Sequence, residues 1–275
     1  MFTLKKQEAV LLVALLGLAA LALFGPVMTQ PAHQHAFADQ RMWAGLPFAM
    51  DVLSNLSFAL WGVAGGLGLL GVLKRTKPST EQLLVGLFFT GLVATAAASS
   101  WYHLQPDDAG LGIDRLGMVI AFAGLLALAI AGRISHRAGA CVAAAVLLLG
   151  PLSVWFWLVS GNVLLWLVLQ FGGMALILWM AFIKPLVGAL AVRWGAVVAV
   201  YAIAKLLEVA DHPVYELTSH VVSGHTLKHV VASFAAWPPL MAIGSAYAKT
   251  QKQGKIHVRN SDSSPARYAA TDQRT

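Results

Sequence analysis

Long apolar stretches of about 20 residues, joined by short polar connections, dominate this 275-residue sequence. A helix of that length crosses the hydrocarbon core of a bilayer, and lipid forces such a stretch to satisfy its backbone polar groups internally as a helix. Eight stretches qualify, at residues 8–28, 47–73, 82–104, 113–132, 138–159, 162–183, 187–209 and 218–246. The sequence therefore predicts an all-α, multi-pass integral membrane protein.

The composition agrees with a membrane protein. Only 11% of the residues are charged, against roughly 25% in an average soluble domain, and the mean hydropathy is +0.71. The formal charge of +7 does not indicate a nucleic-acid partner, because multi-span proteins place basic residues in their cytoplasmic loops. The single cysteine, Cys141, excludes an intramolecular disulfide, and its apolar surroundings predict a thiol packed in the core.

Basic residues set the orientation of the predicted spans. They precede the first stretch and follow the second, fourth, sixth and eighth, so eight spans place them all on one side, which is then cytoplasmic. In a bacterium the membrane would be the cell (inner) membrane. The opposite loops hold mostly Arg41 and the acidic Asp107 and Asp108. The basic residues are Lys5, Lys6, Lys74, Arg75, Lys77, Arg133, Arg137, Lys184, Arg193, Lys249, Lys252, Lys255 and Arg259.

The first stretch resembles the apolar region of a signal peptide. Its run from Ala9 to Phe24 is long for that role, and no obvious small-x-small cleavage site follows, so we expect a retained span. We therefore divide the chain into an N-terminal transmembrane helix with an outer loop (1–46), a seven-helix transmembrane bundle (47–247) and a polar, disordered cytoplasmic tail (248–275).

Two histidines in the last stretch are the strongest sign of chemistry. His225 and His229 stand four residues apart in the segment VVSGHTLKHV, a spacing that places both imidazoles on one face of a helix. Imidazoles in a spanning helix are costly and usually face a protein interior. Such a pair can occupy two corners of a tetrahedral zinc site.

A third ligand and two polar partners are predicted at the same depth. Ser99 and His103 repeat the four-residue spacing at the end of the third stretch, and a short hairpin then leads to Asp114. Three histidines with one open position form a catalytic zinc shell. Asp114 could act as general base and Ser99 could donate a hydrogen bond to an oxyanion. Two purely structural roles stay open. Asp114 could be an N-cap, and each histidine could be packed with a hydrogen bond to a neighbouring carbonyl group.

Other polar residues allow weaker interpretations. Exposed loop histidines such as His33 and His35 seldom bind metal, and Asp51 could support the site or only bridge helices. Lys205 and Glu208, three residues apart, are expected to pair. The tryptophans of spans five and six, Trp155, Trp157 and Trp166, indicate interfacial anchors or packing.

The combined pattern resembles the alkaline ceramidase family, within a superfamily of seven-helix membrane hydrolases that includes the adiponectin receptors. Ser99-x3-His103, Asp114 eleven residues later and His225-x3-His229 match the ceramidase spacing, and the segments DVLSNLSF and DRLGM resemble bacterial members. The resemblance covers spans two to eight, with the first span as an addition.

That resemblance implies a zinc-dependent hydrolase acting on linear amides, which cleaves the N-acyl bond of ceramide to a fatty acid and a sphingoid base. It implies that His103, His225 and His229 hold Zn²⁺, that Asp114 handles the proton of the attacking water, and that Ser99 supports the site. The substrate would be a membrane lipid, and the active site would face the non-cytoplasmic side.

The sequence departs from the family pattern at one site, and two functions other than hydrolysis remain open. Eukaryotic alkaline ceramidases also bind calcium near their first core helix, where this sequence offers only Asp39, Asp51 and Asn55, so a Ca²⁺ site is doubtful. Another long-chain amide or ester could replace ceramide, and the oligomeric state stays open. A receptor-like or scaffolding protein could use zinc structurally. A transporter could use Lys205, Glu208 and Asp211 as a relay, although the inner half of the bundle offers few ionisable groups to continue it.

Overall fold

The computed structural model describes residues 4–74, 77–246 and 248. Within those residues the chain is helical and contains no β-strand. The tail predicted at 248–275 lies outside the described residues except for residue 248, and so does Arg75. The predicted all-α membrane bundle is confirmed.

Among the described residues, six helices are long and apolar enough to cross a membrane. Most of them match the predicted spans within a few residues, but α5 begins five residues early because it continues through the predicted hairpin. They are α1 (Lys6–Phe24), α2 and α3 (Ala49–Ser54 and Leu56–Leu73, bent at Asn55), α4 (Thr80–Leu104), α5 (Asp108–Arg133), α6 (His136–Ser160), and α7 and α8 (Leu164–Leu167 and Gly173–Phe182, joined by a π-helical turn over Val168–Gly172).

The last two predicted spans are built from shorter pieces. They are α9 (Trp194–Val209), α10 (Asp211–Leu217), α11 (Gly224–Ser233), a 3₁₀ turn (Phe234–Ala236) and a helical segment over 237–246. The 16 residues of α9 rise about 24 Å, less than the roughly 30 Å hydrocarbon core. The predicted stretches 187–209 and 218–246 also start too early, because residues 187–193 and 218–223 are irregular.

The central helix is α5, which packs against α4, α6 and α8 and buries most of its residues. Glycines allow α4 and α5 to approach closely. A methyl group on Gly91 would lie 2.2 Å from the backbone nitrogen of Ala121, and one on Gly124 would lie 2.3 Å from that of Phe88. Small residues at such crossings are typical of helix packing in membranes. This contact fixes α4, which carries His103, relative to α5, which carries Asp114.

Helix α1 packs onto the bundle through both polar and apolar contacts. The Glu8 carboxylate accepts hydrogen bonds from Ser135 Oγ at 2.6 Å and Arg137 Nη2 at 2.8 Å, at the turn between α5 and α6. Leu11 is buried in the main apolar core, and Leu18 lies over Gly172. The start of α1 therefore lies at the same end of the bundle as the α5–α6 turn, as the distribution of basic residues predicts.

The prediction for Cys141 is wrong: its side chain is exposed on α6, not packed in the core. Much of the outer face of α6 is exposed, including Leu148 and Trp155. In a spanning helix an apolar side chain can face lipid as easily as protein. Apolar neighbours in the sequence therefore do not predict burial inside the bundle.

Candidate metal centre

Three histidines from two helices converge in the interior of the bundle. His103 lies one residue before the end of α4, and His225 and His229 lie one turn apart on α11. All three are buried, and one ring nitrogen from each lies within 4.8 Å of the others. The ring centroids are separated by 4.8 to 5.0 Å. The three residues predicted from the sequence could therefore hold one metal ion.

The closest pair of ring nitrogens fits a tetrahedral ion. His103 Nε2 and His225 Nε2 are 3.3 Å apart. Bonds of 2.0–2.1 Å at a tetrahedral angle separate two ligand nitrogens by about 3.3 Å. The donor set and its spacing thus fit a zinc-type site.

The start of α11 is fixed by caps, and these caps position His225. Ser223 Oγ accepts a hydrogen bond from Thr226 N at 3.0 Å as the N-cap. Asp211 Oδ1 accepts one from His225 N at 2.7 Å. Gly224 is required here, because a Cβ atom would lie 2.3 Å from Leu207 O. These contacts hold the first turn of α11 against the end of α9.

Ser54 determines which nitrogen of His229 faces the metal position. Ser54 Oγ lies 2.7 Å from His229 Nδ1 and donates its own hydrogen to Asp51 O at 2.9 Å. The hydroxyl can then only accept from His229, so Nδ1 carries the hydrogen and Nε2 keeps a free lone pair. A hydrogen bond of this kind to the non-ligating nitrogen is common at protein metal sites. The sequence did not indicate this contact, because Ser54 and His229 are 175 positions apart.

We expect Ser54→Ala to weaken zinc binding roughly 10- to 100-fold, the usual effect of losing such a partner. A zinc titration with a competing chelator measures the change. Ser57→Ala is the matched control, because Ser57 Oγ donates to Ser54 O and approaches only the backbone oxygen of His229. Equal zinc affinity in both variants would exclude this role for Ser54.

Asp51 is fully buried against α11. Its Oδ1 accepts a hydrogen bond from Thr226 Oγ1 at 2.6 Å, whereas its Oδ2 and Asn55 Oδ1 have no partner among the described residues. Asp51 therefore ties α2 to the turn between the two α11 histidines, which is one of the supporting roles considered for it.

Ser99 on α4 and Asp114 on α5 face each other across the short turn that joins these helices. Ser99 is one turn before His103 on α4, and its side chain is hydrogen-bonded to the Asp114 carboxylate. Asp114 Oδ1 is buried without a partner among the described residues. The N-cap alternative for Asp114 is wrong: α5 begins at Asp108, and Asp107 Oδ1 caps it by accepting from Gly110 N at 2.6 Å.

The outer loop covers the histidines with an aromatic ring. The buried Phe37 ring lies 4.7 Å from the His103 ring and 4.4 Å from the His225 ring, between centroids. It also packs edge-on against Tyr102 and Phe48. Phe37 therefore closes the site from the loop side. Nothing in the sequence near Phe37 distinguished it from the other apolar residues of the loop.

Two polar contacts hold this loop over the site. Asp211 Oδ2 accepts a hydrogen bond from Ala38 N at 2.9 Å, so one carboxylate joins the loop to His225. Arg41 Nη2 donates to Val221 O at 2.8 Å. The loop is thus attached to both ends of the segment that precedes α11.

The loop's own ion pair joins Asp39 and Arg41, with Nη2 2.6 Å from Oδ2. Burial by itself would raise the pKa of the Asp39 carboxyl, but the hydrogen bonds and positive charge of Arg41 outweigh it and hold that pKa below its usual range. Asp39 therefore remains charged at neutral pH and keeps Arg41 in place.

The remaining predicted polar residues do not belong to the cluster of three histidines. His33 is exposed, and His35 contacts Tyr102 Oη at 2.8 Å and Asp108 at 3.2 Å. Lys205 and Glu208 form the predicted ion pair. The structure adds Lys228 Nζ, 3.0 Å from Glu208 Oε1, which the sequence did not indicate.

Comparisons with known proteins assign no family. The sequence matches no protein-family model and no curated protein. The geometry of the site is the remaining guide to its function: three buried imidazoles that could hold one metal ion, enclosed by the ring of Phe37.

Proposed function

We propose that this protein is a zinc-dependent intramembrane hydrolase that cleaves the N-acyl bond of ceramide or a related long-chain amide. The observation that carries the proposal is the cluster of three buried histidines that could hold one metal ion. Ser99 and Asp114 support it by their position in the sequence, because they stand in the order and spacing of the alkaline ceramidases. A structural zinc site would need a fourth protein ligand to be closed. Three ligands favour a position left open for a substrate.

The chain's own residues suit amide hydrolysis. Zinc bound to the three imidazoles would supply Lewis acidity, which polarises a carbonyl group and makes water a better nucleophile at neutral pH. Asp114 offers the unpartnered Oδ1 as the atom that takes a proton from the attacking water and returns it to the leaving amine. Ser99 holds the other part of that carboxylate by its hydrogen bond. Phe37 excludes bulk water on the loop side.

The location favours a lipid substrate. The site is buried near the end of the bundle formed by the α4–α5 turn and the start of α11, opposite the end that carries Glu8 and Arg137. A lipid can bring an amide near its polar head to this depth while its acyl chain stays in the bilayer. A soluble substrate would first have to displace the outer loop.

Release of fatty acid from a labelled ceramide in detergent micelles tests the proposal. We expect the purified protein to release it, to lose that activity when a chelator removes the metal, and to recover it when zinc is returned. A panel of other long-chain amides and esters identifies the preferred bond. One equivalent of bound zinc without turnover of any substrate would instead support the receptor-like alternative.

A further inference from the structure

A second buried charge, one residue after Asp114, has no role in the site described above. Arg115 lies two turns into α5 and is only 6% exposed. No acidic side chain of the described residues lies within ion-pair distance of it. Asp114 and Asp108 influence it only from further away. A buried cation in a spanning helix is costly unless it is paired, and usually marks a functional site.

The contacts of the Arg115 guanidinium are aromatic and neutral. Its Cζ atom lies 4.0 Å from the centre of the Trp157 ring and 5.4 Å from that of Trp166, which stabilises the cation by cation–π attraction. Its Nη2 donates to Gln30 Oε1 at 2.8 Å. Trp157 and Trp166 therefore fit the packing alternative: both are buried in an apolar cluster, and both also lie against the charge of Arg115.

Two buried donors at this position have no acceptor among the described residues. They are Arg115 Nη1 and Gln30 Nε2, which belong to two side chains that already hydrogen-bond each other. Water could accept both hydrogen bonds, but it would leave the charge of the guanidinium uncompensated. An oxyanion satisfies both needs, since the planar fork of arginine matches the oxygens of a carboxylate or phosphate.

We infer that Arg115 and Gln30 form a binding position for the anionic group of an amphiphile, a carboxylate or a phosphate, at the non-cytoplasmic end of the bundle. The site lies between α5, α6 and α7 and the outer loop, and is distinct from the three histidines. Its ligand is a lipid or fatty acid whose head group reaches Arg115 from the membrane surface. The inference does not depend on the proposed hydrolase activity.

The test measures binding to protein from which metal has been removed, so that no anion can bind through zinc. Decanoate, decyl phosphate, neutral decanol and inorganic phosphate are each titrated in uncharged detergent, and the unfolding midpoint is followed. We expect a saturable rise with decanoate or decyl phosphate but not with decanol. A response to inorganic phosphate as well would overturn the assignment of the site to an amphiphile.

Variants identify the site. Arg115→Gln should raise the half-saturating concentration about tenfold or more, as expected for loss of a charge-assisted hydrogen bond. Arg133→Gln is the matched control, since Arg133 is a buried arginine on the same helix but faces Glu81 at the opposite end. It should leave the half-saturating concentration unchanged.

Gln30→Leu removes only the second donor, and keeps the test decisive if Arg115→Gln does not fold. It should weaken binding of the same anions severalfold while leaving the zinc content of metal-loaded protein unchanged. Anion binding that is absent in the native protein, or equal in the native protein and in Gln30→Leu, would overturn the inference.

Discussion

His225→Ala is expected to reduce bound zinc from about one equivalent per chain to near zero, and to abolish amide hydrolysis with it. The physical reason is the small number of ligands. Three imidazoles supply all the donor atoms that the described residues bring within 4.8 Å of one another, so losing one leaves two ligands on a doubly charged ion. The same loss is expected for His103→Ala.

The loss of zinc has a signature in stability that does not depend on activity. A ligand that binds only the folded state stabilises it by about 2.7 kcal/mol when present at 100 times its dissociation constant. We therefore expect zinc to raise the unfolding midpoint of the native protein and to leave that of His225→Ala unchanged. Metal analysis of the purified variants gives the stoichiometry.

His33→Ala is the matched control, because His33 is an exposed histidine of the outer loop and does not belong to the cluster of three histidines. It should bind zinc and respond to it as the native protein does. Full zinc occupancy in both His225→Ala and His103→Ala would show that zinc binds elsewhere. The hydrolase proposal would then fail.

The parts of this site that the sequence predicts are those set by local geometry. A four-residue spacing on a helix places His225 and His229 on one face whatever surrounds them. A short turn between α4 and α5 brings Asp114 back alongside α4, where it interacts with Ser99. The shared depth of the histidines followed from the count of spans. These are short-range consequences of helical rise and loop length.

The parts that the sequence does not predict depend on tertiary placement. Phe37 and Ala38 belong to a loop whose path over the bundle no periodicity specifies. The contact between Ser54 and His229 joins residues 175 positions apart. The missed start of α11 is different, because Ser223 followed by Gly224 is a recognisable N-terminal signal that would have placed the break before His225.

The pairing of Lys228 with Glu208 is another contact that depends on tertiary placement. Lys228 lies between two metal-ligand candidates, and its side chain leaves that face of α11 to reach α9. Because Glu208 is engaged by Lys205 and Lys228 together, it is held in a closed ion-pair cluster. That arrangement weakens the alternative in which Lys205, Glu208 and Asp211 relay protons or ions.

Asp114→Asn is expected to lower the turnover number for amide hydrolysis by roughly 10²- to 10⁴-fold, the range for loss of a general base, while bound zinc stays at about one equivalent per chain. The amide keeps the shape of the side chain and can still accept the hydrogen bond from Ser99, but it cannot take a proton at neutral pH.

Asp108→Asn, on the same helix with a carboxylate that is largely exposed, should keep native turnover. The separation of turnover from zinc content is the informative result, because a purely structural aspartate would lose zinc or folding together with activity. If Asp114→Asn turned over ceramide at the native rate with zinc bound, the proton would have to be handled by another group.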